Sequence, residues 1–177
     1  MALAFHSESA IVMWYLSLCG YAALHEYQLI AELQEQRRLK RYIIETYGEY
    51  LPDNLPNSAN IAQPLIGDIR RQDIDIQMAQ NILRQAFSAY QNWEAETLRN
   101  NEQIAAQLHA NGCIADYQYV MHIITDVQEE LRILNNLIIE LQAHGWDMPQ
   151  IVAAQVDTRN HYAKQLKKPC KTGYDYV

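Results

Sequence analysis

"SAYQNWEAETLRNNEQ", residues 88–103, is the stretch on which the fold turns. It continues an apolar seam of Ile76, Ala79, Leu83, Phe87, Tyr90, Thr97, Ile104 and Leu108, spaced by steps of three and four residues, and so predicts an amphipathic helix from about Gln72 to Ala110. The same register puts Glu94 and Asn101 on the face that should bury apolar side chains. A carboxylate held inside a helical bundle is either a metal ligand or a group satisfied by neighbouring side chains.

The neighbouring segments extend the helical pattern. "ANG" (110–112) ends the helix, with Gly112 suited to the left-handed position after a helix. A third helix is expected from about Ile114 to Ala143, with Val120, Ile124, Val127, Leu131, Leu134, Ile138 and Leu141 as its seam. Gly145 closes it, while Asp147 as N-cap and Pro149 in the first turn open a shorter helix reaching about Leu166. Upstream, helical sequence runs from about Ser7 to Tyr47. It is weakened at Gly20 and its apolar stripe is interrupted by "QEQRR" (34–38), which leaves one long helix or two helices with a bend open. "YLPDNLPNSANIAQPLIGD" (50–68) has three Pro and cannot continue a helix, so a long crossover is expected over about 50–71. The fold class that follows is all-α: a helical bundle of three to four long helices plus a short C-terminal helix. It forms one domain over residues 1–166, and residues 167–177 form a tail without periodic pattern.

Composition narrows the function classes. The chain has 177 residues, 49% hydrophobic and 20% charged, which excludes wholesale disorder. Its formal charge of −7 argues against a generally basic nucleic-acid protein, so no duplex DNA binding is expected. Cys19, Cys113 and Cys170 form no CxxC pair, which suits a reducing compartment and a cytoplasmic location. The apolar run "AIVMWYLSLCGYAAL" (10–24) is shorter than the roughly 20 residues of a spanning helix, and no Lys or Arg precedes it, so neither a membrane nor an export role is expected. Ile11, Val12, Trp14, Tyr15, Leu16 and Leu18 point in nearly every direction around a helix, more than one buried face can accommodate. A homo-oligomer is therefore expected, burying residues 10–24 between subunits with Trp14, Tyr15 and Leu18 in the interface.

Motifs for catalysis are sparse. No Gly-rich phosphate loop precedes a helix, and no nucleophile–base pair is recognisable from spacing. None of the six His has Glu three residues before it, the pairing that places two ligands on one helical face in carboxylate-bridged metal bundles. His122, Asp126 and Glu129 lie opposite the Val120–Leu141 seam with Asn136 and Glu140, and so belong to a solvated face.

From about Ala79 to Gly145, "NWEAETLRNNEQIAAQLHANG", a brief turn and "VMHIITDVQEELRILNNLIIELQAHG" together resemble the last two long helices of ferritin-like proteins. The crossover before the pair and the short helix after it are similar too. The resemblance implies that Glu94 is the inward carboxylate of the third bundle helix and Glu130 an acidic position on the fourth. Glu35, from "LQEQRRLKR" (33–41), would be a further ligand for iron or manganese. Val127 stands where many ferritins have a polar ligand, Arg38 follows Glu35 where the family has His, and only about 50 residues precede the crossover.

"RRLKR" (37–41) is the basic cluster of the chain. Arg37, Arg38, Lys40 and Arg41, flanked by Tyr27, Tyr42, Tyr47 and Tyr50, form a pattern that can hold single-stranded nucleic acid by phosphate contact and base stacking. The same residues also make an ordinary solvated face with Glu35 and Glu45 as partners. The sequence reading is a noncatalytic helical-bundle protein without a cofactor, acting through self-association or partner binding. The alternatives are a ferritin-like iron or manganese binding protein, for storage or di-metal oxidation, and a nucleic-acid-binding helical protein.

Overall fold

A computed structural model describes residues 6, 9–13, 16, 18–50, 73–147 and 151. The expected crossover, apart from Tyr50, lies largely outside these residues, as do the short helix after Pro149, apart from Ile151, and the C-terminal tail. The described chain is all-α, with no strand among the described residues: α1 (Cys19–Tyr47), α2 (Ile76–Ala110) and α3 (Ile114–Ala143).

The long N-terminal stretch is two helical segments. Residues 9–13 are helical, and the chain turns before α1 begins at Cys19. The Leu18 N–H donates to the Met13 carbonyl at 2.8 Å, a bond across six residues that closes a helix end. Neither Gly20 nor "QEQRR" breaks anything, because both lie inside the unbroken α1. One helical Gly costs only about 1 kcal/mol, and Gln, Glu and Arg are good helix formers even where they interrupt an apolar stripe. Helix α1 stops at Gly48, whose φ of 70° favours glycine and whose N–H donates to the Ile44 carbonyl at 2.9 Å.

By contact the chain divides into two compact units, Met1–Ala79 with Ile151–Val177, and Gln80–Gln150. In the first, the apolar run forms core. Val12, Met13, Tyr21 and Ala22 are fully buried, and the Tyr21 hydroxyl donates to the Ile151 carbonyl at 3.4 Å. This corrects the interface role expected for Leu18: it is 2% exposed within the single chain and needs no second subunit to cover it. The overhanging helix that motivated the expectation does not exist, since the turn before Cys19 ends it. Trp14 and Tyr15 lie outside the described residues.

The second unit is built on an antiparallel hairpin. Helix α2 starts at Ile76 rather than near Gln72, because the Asp75 carboxylate accepts the Met78 N–H at 2.7 Å and caps it there. Three contacts fix the pairing of α2 with α3 and the turn beyond it. His109 meets Tyr117 edge-on at 5.2 Å between ring centroids, the Gln91 amide donates to Asn135 at 2.7 Å, and the Gln80 amide donates to the Trp146 carbonyl at 2.8 Å. Each step back along α2 is matched by an equal step forward in the chain, as straight antiparallel helices require.

A glycine turn lies at each end of α3. Gly112 and Gly145 have φ of 71° and 64°, and the next residue donates back across six residues, Cys113 to Leu108 at 2.9 Å and Trp146 to Leu141 at 2.8 Å. Trp146 itself has a positive φ of 59°. It is held there by its buried ring, 6.2 Å from Phe87, with the Arg84 guanidinium 5.7 Å above it.

The predicted seams are largely the observed ones. Leu83, Phe87 and Tyr90 are buried on α2, and Ile124, Val127, Leu134, Ile138 and Leu141 on α3. The difference comes late in α2, where Ile104 is 46% exposed and Ala105 only 4%. A seven-residue step lags a straight helix by about 20°, so three steps from Leu83 carry Ile104 about 60° off the seam and bring Ala105 nearer to it.

Candidate functional site: the two faces of α1

Helix α1 is turned the opposite way from an ordinary amphipathic helix. His25 and Gln28 are buried, and Glu32 and Glu35, one and two turns further along the same face, are half-buried. On the other side stand Ile30, Leu33, Ile44 and Tyr47, exposed by 44, 36, 44 and 55%. At about 100° per residue these four fall within a stripe about 100° wide, and Arg37 and Lys40 occupy its middle. Beyond the buried Tyr21, Ala22 and Leu24, the inward side of α1 thus carries polar groups from His25 to Glu35, while apolar groups stand outward.

The inward face is tolerable because a partner meets it. His6, from the N-terminal segment, places its Nδ1 3.2 Å from Nδ1 of His25, with ring centroids 5.5 Å apart. Two nitrogens at that distance share one proton, so one ring donates and the other accepts. Burial holds His6 down to about 3. Burial also holds His25 well below its ordinary value, and the charge His6 would carry adds to the effect. Both rings are thus neutral at physiological pH. Ser9, one turn on from His6, is buried as well. Further along α1, burial first and the neighbouring Glu35 second raise Glu32 from 4.5 to about 7.

A pair with each ring 1% exposed cannot reach a substrate, so these imidazoles join two segments of chain. Spacing of His against nearby carboxylates does not reveal them, because the two rings come from different segments and meet each other. The legible signal was the series Tyr21, His25, Gln28, Glu32 and Glu35, which follows helical spacing as closely as an apolar seam does.

The other predicted residues are scattered. Glu94 is 1% exposed and points inward, as its register requires. Glu130 and Glu35 are half-buried. Among the described residues no group of three or more His, Cys, Asp or Glu is assembled that could hold a metal ion. Of the basic cluster, Arg37 is exposed while Arg38, Lys40 and Arg41 are half-buried. At about 100° per residue Lys40, Arg37 and Arg41 fall within about 100° of arc, and Arg38 lies about 60° beyond Arg41. His122, Asp126, Glu129, Asn136 and Glu140 are all exposed, as expected for the solvated side of α3. No helix of the described residues is long and apolar enough to cross a membrane.

Comparison with protein-family models, with curated proteins and with solved structures finds no match to this chain.

Proposed function

We propose that this is a noncatalytic helical-bundle protein that works by association, and that the outward face of α1 is the surface it uses. The observation that carries the reading is the inverted helix: Ile30, Leu33, Ile44 and Tyr47 stand in water while His25 and Gln28 of the same helix are buried. Two pairs of exposed apolar side chains flanking two cations, on a helix whose other side buries polar groups, mark a surface suited to being covered.

Energetics limit what covers it. Fully burying a large apolar side chain is worth roughly 1.5–3 kcal/mol, so the exposed portions of these four offer on the order of 3–6 kcal/mol. Association costs an estimated 4–15 kcal/mol in lost freedom. One stripe is therefore marginal alone, and complementary charge or repetition of the contact has to supplement it.

Light scattering coupled to chromatography tests the reading on the full chain. The wild type should run heavier than its 20.5 kDa, and Ile30→Asp with Ile44→Asp should run at that mass with unchanged helical circular dichroism. Equal mass for wild type and variant, whether monomeric or oligomeric, refutes it.

A further inference from the structure

The His6–His25 contact joins the N-terminal segment to α1 through groups that acid can charge. Their Nδ1 atoms, 3.2 Å apart, hold one proton between them, and each ring is 1% exposed. A proton added to either ring makes an imidazolium inside the core, and a further one sets two N–H donors against each other.

The segment that carries His6 is short and hinged. Residues 9–13 form little more than one helical turn, and the turn before Cys19 joins them to α1. That turn is closed by the Leu16 N–H, which donates to the Val12 carbonyl at 3.0 Å, and by the Leu18 N–H, which donates to the Met13 carbonyl at 2.8 Å. Val12 and Met13 are fully buried, so the closed segment belongs to the core. Ser9 weakens it, because its buried hydroxyl meets no hydrogen-bond partner among the described residues.

Neighbouring charge does not rescue the protonated pair. On the N-terminal segment the polar neighbour is the uncharged Ser9. On the inward face of α1 stand Tyr21, whose hydroxyl donates to the Ile151 carbonyl at 3.4 Å, and beyond His25 the carboxyls of Glu32 and Glu35. Glu32, which also feels the chain's α-amino group, is held up to about 7 by burial first, so it is losing its own charge as the histidines begin to gain theirs. Burial holds His6 low, and burial and then the charge of His6 hold His25 low.

We infer that the His6–His25 contact is an acid-sensitive clasp, whose protonation lets the N-terminal segment swing out about the turn before Cys19 and carry Val12 and Met13 into water while α1 stays helical. A ring that is neutral when clasped and titrates near 6.5 when released multiplies the released population by roughly eight from pH 7 to 5.5, and two rings multiply it by roughly seventy.

Hydrogen exchange of the full chain, read residue by residue as protection factors over that pH range, tests the clasp. Protection of the Leu16 and Leu18 amides should fall by roughly seventyfold, well beyond the fall at amides of α1 after Gln28 and of α3. His25→Gln alone should reduce the fall at Leu16 and Leu18 to roughly eightfold, and His6→Gln with His25→Gln should abolish it, with circular dichroism checking that each variant is helical. Wild-type protection at Leu16 and Leu18 that does not change with pH overturns the inference, as does a fall shared equally by α1 and α3, which is global unfolding. The full fall persisting in a folded double variant overturns it too. Should the variants not fold, the contrast within the wild type between Leu16 and Leu18 and the later amides of α1 decides by itself.

Discussion

Changing Glu32 to Gln should make the protein more sensitive to acid, and the reason is an opposition between titrating groups in one part of the fold. His6 titrates near 6.5 when unfolded and at about 3 in the native chain. Above pH 6.5 neither state binds its proton, so its contribution is constant there. Between 6.5 and 3 the unfolded state takes up a proton that the native state refuses, and stability falls with acid at up to ~1.4 kcal/mol per pH unit. From pH 7 to 5.5 this amounts to ~1 kcal/mol. His25, also held low, acts in the same direction.

Glu32 acts oppositely, because its native value is raised from 4.5 to about 7. Its stabilising share is fully present below 4.5 and is lost as pH rises through 7. Cooling the full shift for its partial exposure leaves ~1 kcal/mol gained on acidification from pH 7 to 5.5, which offsets most of the His6 loss. Urea unfolding followed by circular dichroism at several pH values, with ionic strength fixed, should show wild-type stability falling moderately with acid, because His6 and His25 together outweigh Glu32. Glu32→Gln should lose ~1 kcal/mol more than wild type over that range and be the more stable of the two at pH 8. Conversely, His6→Gln with His25→Gln should flatten or reverse the acid slope. Parallel profiles for wild type and Glu32→Gln would refute the opposition.

Other expectations follow from burial and capping. Glu94→Ala should lower stability by ~2–4 kcal/mol in urea titrations, since it opens space around a buried carboxylate site, whereas Glu96→Ala on the exposed side should change it by under ~0.5 kcal/mol. Equal effects would show that the α2 register is wrong. Asp75→Ala should cost ~1 kcal/mol and raise hydrogen exchange in the first turn of α2 alone, and unchanged exchange there would remove the cap. In fluorescence anisotropy, single-stranded oligonucleotide should bind weakly and only at low salt, with Arg38→Ala and Arg41→Ala having little further effect, because the formal charge of −7 opposes phosphate. Tight binding that these substitutions abolish would favour the nucleic-acid reading instead.

Where the sequence was legible, a local rule agreed with the packing. Helix α3 starts and stops where expected because Gly112 and Gly145 supply left-handed turns at both ends, and its seam is regular enough to read by spacing. Glu94 was placed on the buried face from the register of Leu83, Phe87 and Tyr90 alone. The start of α2 was set four residues early because periodicity carries no information about a cap, and Asp75 was decisive there. The turn before Cys19 was missed for a related reason. The run 10–24 is apolar on every side, so no periodicity marks where one helix gives way to the next. The His6–His25 pair depends on two segments meeting, which spacing within either segment does not encode.

Helix α1 shows why its inside and outside could not be assigned from pattern. Both of its faces are mixed, and the choice between them is made by what each one meets. Rotating α1 by half a turn would bury Ile30, Leu33 and Ile44, at a gain of a few kcal/mol. It would also carry His25 and Gln28 out of the interior, leave His6 buried without the ring it now faces, and bring Arg37 and Lys40 inward. A buried cation without a counter-charge costs several kcal/mol, more than the isoleucines return. The observed register is therefore the better of the two for the isolated chain. The association surface proposed above correspondingly lies in residues 30–47 rather than at Leu18, which the chain buries itself. One rotation of one helix thus fixes both the neutral histidine pair inside and the apolar stripe outside, and a substitution that lets α1 turn should disturb acid sensitivity and association together.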